Sequence, residues 1–372
     1  MARQGKGLCV KERAMSKQDE AAGAALSGGL ACPIPISDYK SVLLAHGGGG
    51  KLTQQLIQKM FLNQFQSKLL APLHDGAIVS IKGTRLAFST DSYVINPIFF
   101  PGGDIGELAI NGTVNDLAMC GANPLFLSSA FVIEEGFPME DLWRVIVSMQ
   151  EAAKVAGVEL VTGDTKVVDR GKGDKLFINT SGIGVIEDGI DISPSRATKG
   201  DQIIVNGPIA VHGIAIMSVR EGLEFETQIQ SDTAPLNGLV AAMLSVCNDI
   251  HVLRDPTRGG VASALNEIAE SAGVGINIVE AQIPLGDEVR GACEILGFDP
   301  LYVANEGKLI AFVPPEKTEA VLRSMRSHPL GKESVVIGEV VRDHPGTVVM
   351  KSLIGGSRVV DMLSGEQLPR IC

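Results

Sequence analysis

The chain predicts an α/β (α+β) fold in two domains. Three observations carry this. Runs with the alternation of strands are interleaved with stretches of helical spacing in both halves. At 372 residues the chain is longer than one hydrophobic core usually serves. A stretch of turn-formers and charge, EDGIDISPSRATKGD, divides it at 187–201. The expected organisation is an N-terminal domain over 41–187, a C-terminal domain over 198–345, and a strand with a mobile tail over 346–372.

Residues 1–40 are small, charged and aperiodic, which reads as a disordered extension or as a start placed too early, with Met15 the alternative. Ordered sequence is expected from Ser41. SVLLAHGGGGK is an apolar run entering a glycine loop, and Leu52, Leu56, Ile57, Met60 and Phe61 then recur at helical spacing. Two strands, 77–81 and 85–89, are joined by a turn at Lys82-Gly83-Thr84. Asp104 is the natural N-cap of a helix carrying IGELAINGTVNDLAMCG. A strand in LFLSSAFVI, a helix in MEDLWRVIVSMQEAAKVAG, and strands in VELVTG and KLFINTSGIGVI complete this half. The second half restarts with the strand QIIVNGP. Helices are expected at 213–220, 235–247, 260–272 and 286–296, and strands at 275–278, 309–313 and 334–341.

Composition excludes several classes. Hydrophobic residues make up 45% and charged residues 20%, so the chain folds. A net charge of −11 argues against an electrostatic nucleic-acid binder. No apolar run reaches the ~18–20 residues of a membrane helix. Cys9, Cys32, Cys120, Cys247, Cys293 and Cys372 are scattered, with no C-x-x-C pair and no zinc-type histidine spacing. A reduced, cytoplasmic protein is the plain reading.

The glycine loop AHGGGGKL is not a P-loop, because Ala45 and Leu52 stand where Gly and Ser or Thr are required. It remains either a flexible turn or a backbone cradle for phosphate. Four aspartates are more telling: Asp75 in HDGA, Asp91 in STDS, Asp116 in NDLA and Asp164 in TGDTK. Turn formation explains any one of them. Asp116 lies within an apolar helix beside Asn115, and a buried carboxylate is costly unless paired or metal-bound. With Lys166 and the glycine loop these carboxylates suit a magnesium–nucleotide site. RDPTRGG, with Arg254 and Arg258, is an anion cradle or a helix cap with surface arginines. Glu306 in ANEGK is an acid–base candidate or a turn carboxylate. Cys372 closes the chain. A prenylation box would need cysteine at 369, where proline stands. A thiol at the chain end is thus either a frayed end or a group that reaches into a site.

FSTDSYVINPIFFPGGDIG, GTVNDLAMCGANP, VTGDTKVV, LRDPTRGGV, ANEGKL, SHPLGK, IGEVV and terminal PRIC resemble the HypE family, carbamoyl dehydratases of [NiFe]-hydrogenase maturation. The match runs from about residue 44 to the end. The wider superfamily is that of aminoimidazole ribonucleotide synthetase. The resemblance implies that two-domain fold with a flexible tail, and homodimers formed through N-terminal strands near bound ATP. It implies ATP-dependent dehydration of a carboxamide on the C-terminal thiol to a thiocyanate, the source of cyanide for iron. The carboxamide would come from a carbamoyltransferase of the HypF family, and the cyanide would go to a HypC–HypD scaffold.

Carried onto this sequence, ATP would be held by Gly47, Gly49, Gly50, Asp91, Asn115, Asp116, Gly163, Asp164, Thr165, Lys166, Arg254 and Arg258. Mg²⁺ would be held by Asp75, Asp91, Asp116 and Asp164. Cys372 would be the carrier thiol and Lys166 would offset phosphoryl charge, with Glu306 or His46 as the base. The family often has serine where this chain has Gly48, and aspartate where it has Asn96. Rival readings are another ATP-using enzyme of the superfamily, or a thiol carrier without catalysis.

Overall fold

The computed structural model describes residues 39–222, 228–365, 368 and 370–372. The extension expected over 1–40 therefore lies outside the described residues, apart from Tyr39 and Lys40, and so does Pro369. The glycine loop leads into α1 (Lys51–Leu56), and helical structure continues to Phe65.

The first domain follows as β1 (Ala77–Ile81), β2 (Thr84–Tyr93), β3 (Phe99–Phe100), β4 (Gly103–Asp104), α2 (Ile105–Met119), β5 (Ala122–Glu134), α3 (Met139–Ala156), β6 (Glu159–Val168) and β7 (Leu176–Ile186). Its main sheet has the order β1-β2-β7-β5-β6. Only β5 and β6 run parallel within it, and α3 supplies the crossover they need.

α2 organises the domain. Asp104 caps it as expected, its Oδ1 accepting the amides of Gly106 and Glu107 at 2.7 and 3.1 Å. The helix is apolar nearly all round and is buried accordingly, leaving only Glu107 and Asp116 outside its buried set. Gly112 is required here, since a Cβ would lie 2.2 Å from the Tyr93 hydroxyl packed against the helix. Chain reversal after α3 uses Gly157 at φ +73°, the left-handed cap that glycine adopts without penalty.

The second domain contains β8 (Gln202–Val205), α4 (Val211–Arg220), α5 (Asn237–Leu244), β9 (Val252–Arg254), α6 (Gly260–Ala272), β10 (Gly275–Val279), α7 (Asp287–Leu296), β11 (Ile310–Val313), α8 (Thr318–Ser327), β12 (Val335–Val341), β13 (Val348–Lys351) and β14 (Ser357–Val360). Its sheet runs β14-β13-β10-β12-β8-β11-β9. Strand β9 and helix α8 have no counterpart in the sequence expectation, the first because three residues give too little periodicity. The single strand expected beyond 346 is two, both built into this sheet.

One apolar core runs through both domains, joining Ile105, Leu108 and Leu117 to Leu236, Leu253 and Ile371. The domains are therefore packed together, and the cleft between them is a fixed feature. Cys120, Cys247, Cys293 and Cys372 are free thiols. No helix among the described residues is long and apolar enough to cross a membrane.

Candidate active site in the interdomain cleft

A cavity of about 610 Å³ opens between the glycine loop, the end of β2, α2 and the segment 254–258. Asp75 arrives from the turn before β1, Asp116 from α2, and Asp255 from the residue after β9. One oxygen of each lies within 4.8 Å of the others. The Ser89 hydroxyl donates to Asp116 Oδ2 at 2.6 Å. Arg254 bridges outward, with Nε 2.9 Å from Asp75 Oδ1 and Nη2 2.7 Å from Glu267 Oε2.

Asp75 Oδ2 is buried without a hydrogen-bond partner. Burial pushes Asp255 up to about 8, with Asp75 adding to the rise and Arg254 opposing it. Asp116 is also held well above the usual carboxylate range, by burial first and then by Asp255, Asp91 and Asp75. Three crowded carboxylates with an orphaned oxygen are compatible with a hard divalent cation, which would relieve both the repulsion and the missing partner.

Asp91 stands one step away. Its Oδ1 accepts the Ser92 amide at 2.7 Å and lies 3.9 Å from Arg258 Nη2. Burial raises its carboxyl and Arg258 works against that rise. Arg258 also donates from Nη1 to the Gly47 carbonyl at 3.0 Å. The glycine loop is thus fastened to the second domain. A Cβ on Gly49 would sit 2.7 Å from the Arg258 carbonyl oxygen, and one on Gly50 would sit 2.4 Å from the Leu363 carbonyl oxygen. Two loop amides are already used, Gly49 N–H on Thr53 Oγ1 and Lys51 N–H on the Leu363 carbonyl. The loop's glycines therefore permit close backbone approach as well as any ligand contact.

At the inner side of Arg258 sits the chain end. Cys372 is 8% exposed, so the terminal thiol is seated in the protein here. Burial pushes the thiol up, Arg258 pulls it down, and Glu306, Asp91 and Asp255 push it further up. These four groups are the electrostatic surroundings of the sulfur. Glu306 is 3% exposed, and its Oε1 is buried without a partner. Burial holds its carboxyl well above the ordinary range, with Asp255, Asp91 and Asp232 adding to the effect. A buried carboxyl raised in this way is a candidate for proton transfer.

Three expected site residues have other attachments. Asn115 spends its amide on the second domain: Nδ2 donates to the carbonyls of Ala234 (3.1 Å) and Glu306 (3.2 Å), and Oδ1 accepts the Leu236 amide at 2.7 Å. It fixes the Glu306 loop against α2. His46 folds back on its own turn, with Nδ1 accepting the Leu43 amide at 2.9 Å and its ring edge-on to Tyr39. Asp164 is not at a strand end but in the middle of β6, because the strand continues to Val168.

Register then measures how far β6 is from the cleft. Asp91 pairs with Thr180, Thr180 with Ser129, and Ser129 with Gly163. Gly163 therefore shares a row of the sheet with Asp91 but lies three strand spacings away, roughly 14 Å, and Asp164, Thr165 and Lys166 follow it along β6. Within one chain Asp164 is outside the Asp75–Asp116–Asp255 cluster. It is exposed to solvent and paired with Lys166 at 2.6 Å. Asp255 takes the place expected of Asp164. It sat in the RDPTRGG stretch between the two arginines that drew attention, and nothing in sequence reveals that its side chain turns inward.

Residues 73–186 match the family model for the AIR synthase related protein N-terminal domain, and 198–351 match the corresponding C-terminal domain. Fold and cleft thus define an AIR synthase-related protein. "Carbamoyl dehydratase HypE" of Azotobacter vinelandii is 53% identical over 89% of this chain and 97% of its own length. A solved structure described as a HypE–HypF complex superposes with TM-score 0.79 at 48% identity, covering 83% of this chain and 99% of that one. HypE in complex with ATP gives 0.76 at 48% identity, covering 89% and 100%. The chain belongs to the HypE family of carbamoyl dehydratases, enzymes of hydrogenase maturation.

Proposed function

We propose that this protein uses ATP to dehydrate a carboxamide carried on its own Cys372, giving a thiocyanate. The observation that carries the reading is the buried terminal Cys372, whose thiol is influenced by Arg258 and Glu306, with Arg258 itself 3.9 Å from Asp91 in the cleft. The carboxamide oxygen attacks the γ-phosphorus and ADP leaves. The C–O bond then breaks, so that oxygen departs in inorganic phosphate. Both N–H protons are lost, and carbon is left triply bonded to nitrogen on sulfur. We assign the proton transfer to Glu306, a buried carboxyl whose charge is felt at the Cys372 thiol. Tethering the substrate to the chain makes the attack effectively intramolecular.

Asp75, Asp116 and Asp255 would hold Mg²⁺, with Asp91 as a further oxygen donor; the ion would offset charge on the phosphates. Arg258 and the glycine-loop backbone would face the phosphates.

We assign Asp164, Thr165 and Lys166 to the same reaction through a second copy of the chain. β6 is an edge strand exposed along nearly its whole length, with Leu160, Val161 and Val167 open to solvent. An open apolar edge is normally covered. A homodimer through this edge would bring one copy's Lys166 toward the partner copy's cleft. Supply of the carboxamide by a HypF-type carbamoyltransferase and delivery of cyanide to iron on a HypC–HypD scaffold, in the reducing cytoplasm, complete the proposal.

The test is mass measurement of the C-terminal peptide after loading by the carbamoyltransferase. A carboxamide adduct on Cys372 should lose one water only when ATP is added. An adduct on Cys120, or no loss of water, overturns the reading.

A further inference from the structure

The last residues are held by their backbone. The carbonyl of Arg370 accepts the Asn96 amide at 3.4 Å and an Arg220 guanidinium N–H. The carbonyl of Cys372 accepts the Val94 amide at 3.0 Å. Between them, the Ile371 carbonyl lies 2.8 Å from Nε2 of His212, a fully buried histidine on α4.

Chemistry assigns the protons. A carbonyl only accepts, so Nε2 carries hydrogen. Burial holds His212 below the ordinary histidine range, which favours the neutral ring, with Nδ1 then an acceptor. Nδ1 is 2.7 Å from the Ser231 hydroxyl, which must donate to it. That hydroxyl's oxygen in turn accepts the Thr233 amide at 3.1 Å. The relay Thr233 N–H to Ser231, Ser231 to His212, and His212 to Ile371 has one direction and fixes one tautomer.

The same helix start is tied to the loop that carries Glu306. The Ala210 amide donates to Asn305 Oδ1 at 2.7 Å, and the Gly213 amide to the Ala304 carbonyl at 3.0 Å. Ala210 holds φ +70°, an uncommon backbone state for a residue with a Cβ. His212 is therefore anchored through residues on the amino side of Glu306.

We infer that His212 is a positioning residue for dehydration: by holding the Ile371 carbonyl it fixes the register of the chain end, so that the group on Cys372 sulfur meets Glu306 and Arg258 in one geometry. This rests on the carrier role proposed above. A slip of one residue would move the sulfur by about 3.3–3.6 Å, and displacement of a reacting group by ~1 Å can cost on the order of 10²-fold.

The experiment uses the full-length protein with two readouts. In unloaded protein, alkylation of Cys372 by iodoacetamide should be at least ~10-fold faster in His212→Ala than in wild type, because a chain end that loses its carbonyl bond opens more often. In carbamoylated protein, single-turnover loss of water with saturating ATP should be on the order of 10²-fold slower, with ATP affinity unchanged. His212→Gln, whose amide restores an N–H near Nε2, should recover most of that rate. Ser231→Ala keeps the histidine but frees its tautomer, and should slow dehydration less, in the same direction. That variant decides the matter if His212→Ala does not fold. Unchanged dehydration in His212→Ala, or a glutamine variant that folds and binds ATP yet stays as slow as alanine, would overturn the inference. Wild-type protein that forms no thiocyanate while His212→Ala still exposes its thiol would sink the dehydration reading and leave the chain-end latch supported.

Discussion

Asp116, inside an apolar helix, and Asp164, after an apolar strand, are both expected from the sequence to serve as ligands of one cation. Asp116 projects from a helix buried on almost every side into a group of carboxylates, where burial first and then like charge raise its carboxyl. Asp164 stands on an open edge strand with Lys166 against it, and the lysine's hydrogen bond lowers its carboxyl. The difference teaches that the carboxylate type matters less than what surrounds it. The first is stored under electrostatic tension that a cation would relieve, whereas the second is at ease in water and gains a role only if something covers it.

The largest expected effect is on the buried side. Asp116→Asn keeps shape and the Ser89 contact but removes one ionisable carboxyl from the cluster. Dehydration should fall on the order of 10³-fold, since a metal clamp supplies several kcal/mol and each ~1.4 kcal/mol is tenfold. Without divalent metal the same variant should melt above wild type, because one of three crowded acids is removed. Chelation by EDTA should stop water loss while leaving the carboxamide in place. Near-normal dehydration in Asp116→Asn would break the comparison.

The exposed side comes next. Lys166→Ala should keep the carboxamide and slow dehydration on the order of 10²-fold. Cys372→Ser should form no thiocyanate at all. Mixing these two variants should restore thiocyanate if Lys166 acts across the edge of β6 in a second copy. If the mixture stays inactive although the chains exchange, Lys166 does not serve a partner's cleft.

Glu107 sharpens the scale between those extremes. It is the other residue of α2 that is not fully buried. Burial lifts its carboxyl from 4.5 to about 7, with Asp104 adding to the rise. In that interval the folded state holds a proton that the unfolded chain has released. Its stabilising contribution is complete below pH ~4.5 and fades as pH rises through ~7. Solvent reaches this half-buried group, so the effect should be ~1 kcal/mol or less. Glu107→Gln should flatten the dependence of the urea midpoint on pH between 5 and 8. A slope identical to wild type would remove Glu107 from this scale.

Much of the architecture was legible because it is local. Asp104 caps its helix, Gly157 ends the next, and the strands 77–81 and 275–278 lie where alternation puts them. The site was legible only as a roster. Asp75, Asp91 and Arg258 line one cavity and Cys372 lies within the field of Arg258, whereas Asp255 had no place among the expected ligands and the side chains of His46 and Asn115 make local and interdomain hydrogen bonds. His212 gave no signal, since its partner is a backbone carbonyl 159 residues away.

The sequence by itself determined the elements, the two-domain division and the chemical inventory, because helix periods, caps and glycine turns depend on residues a few positions apart. The tertiary structure alone decided which acids share a cavity, which stay on an open edge, and where the last cysteine rests. Those outcomes depend on burial, and burial is set by surfaces brought together from distant parts of the chain.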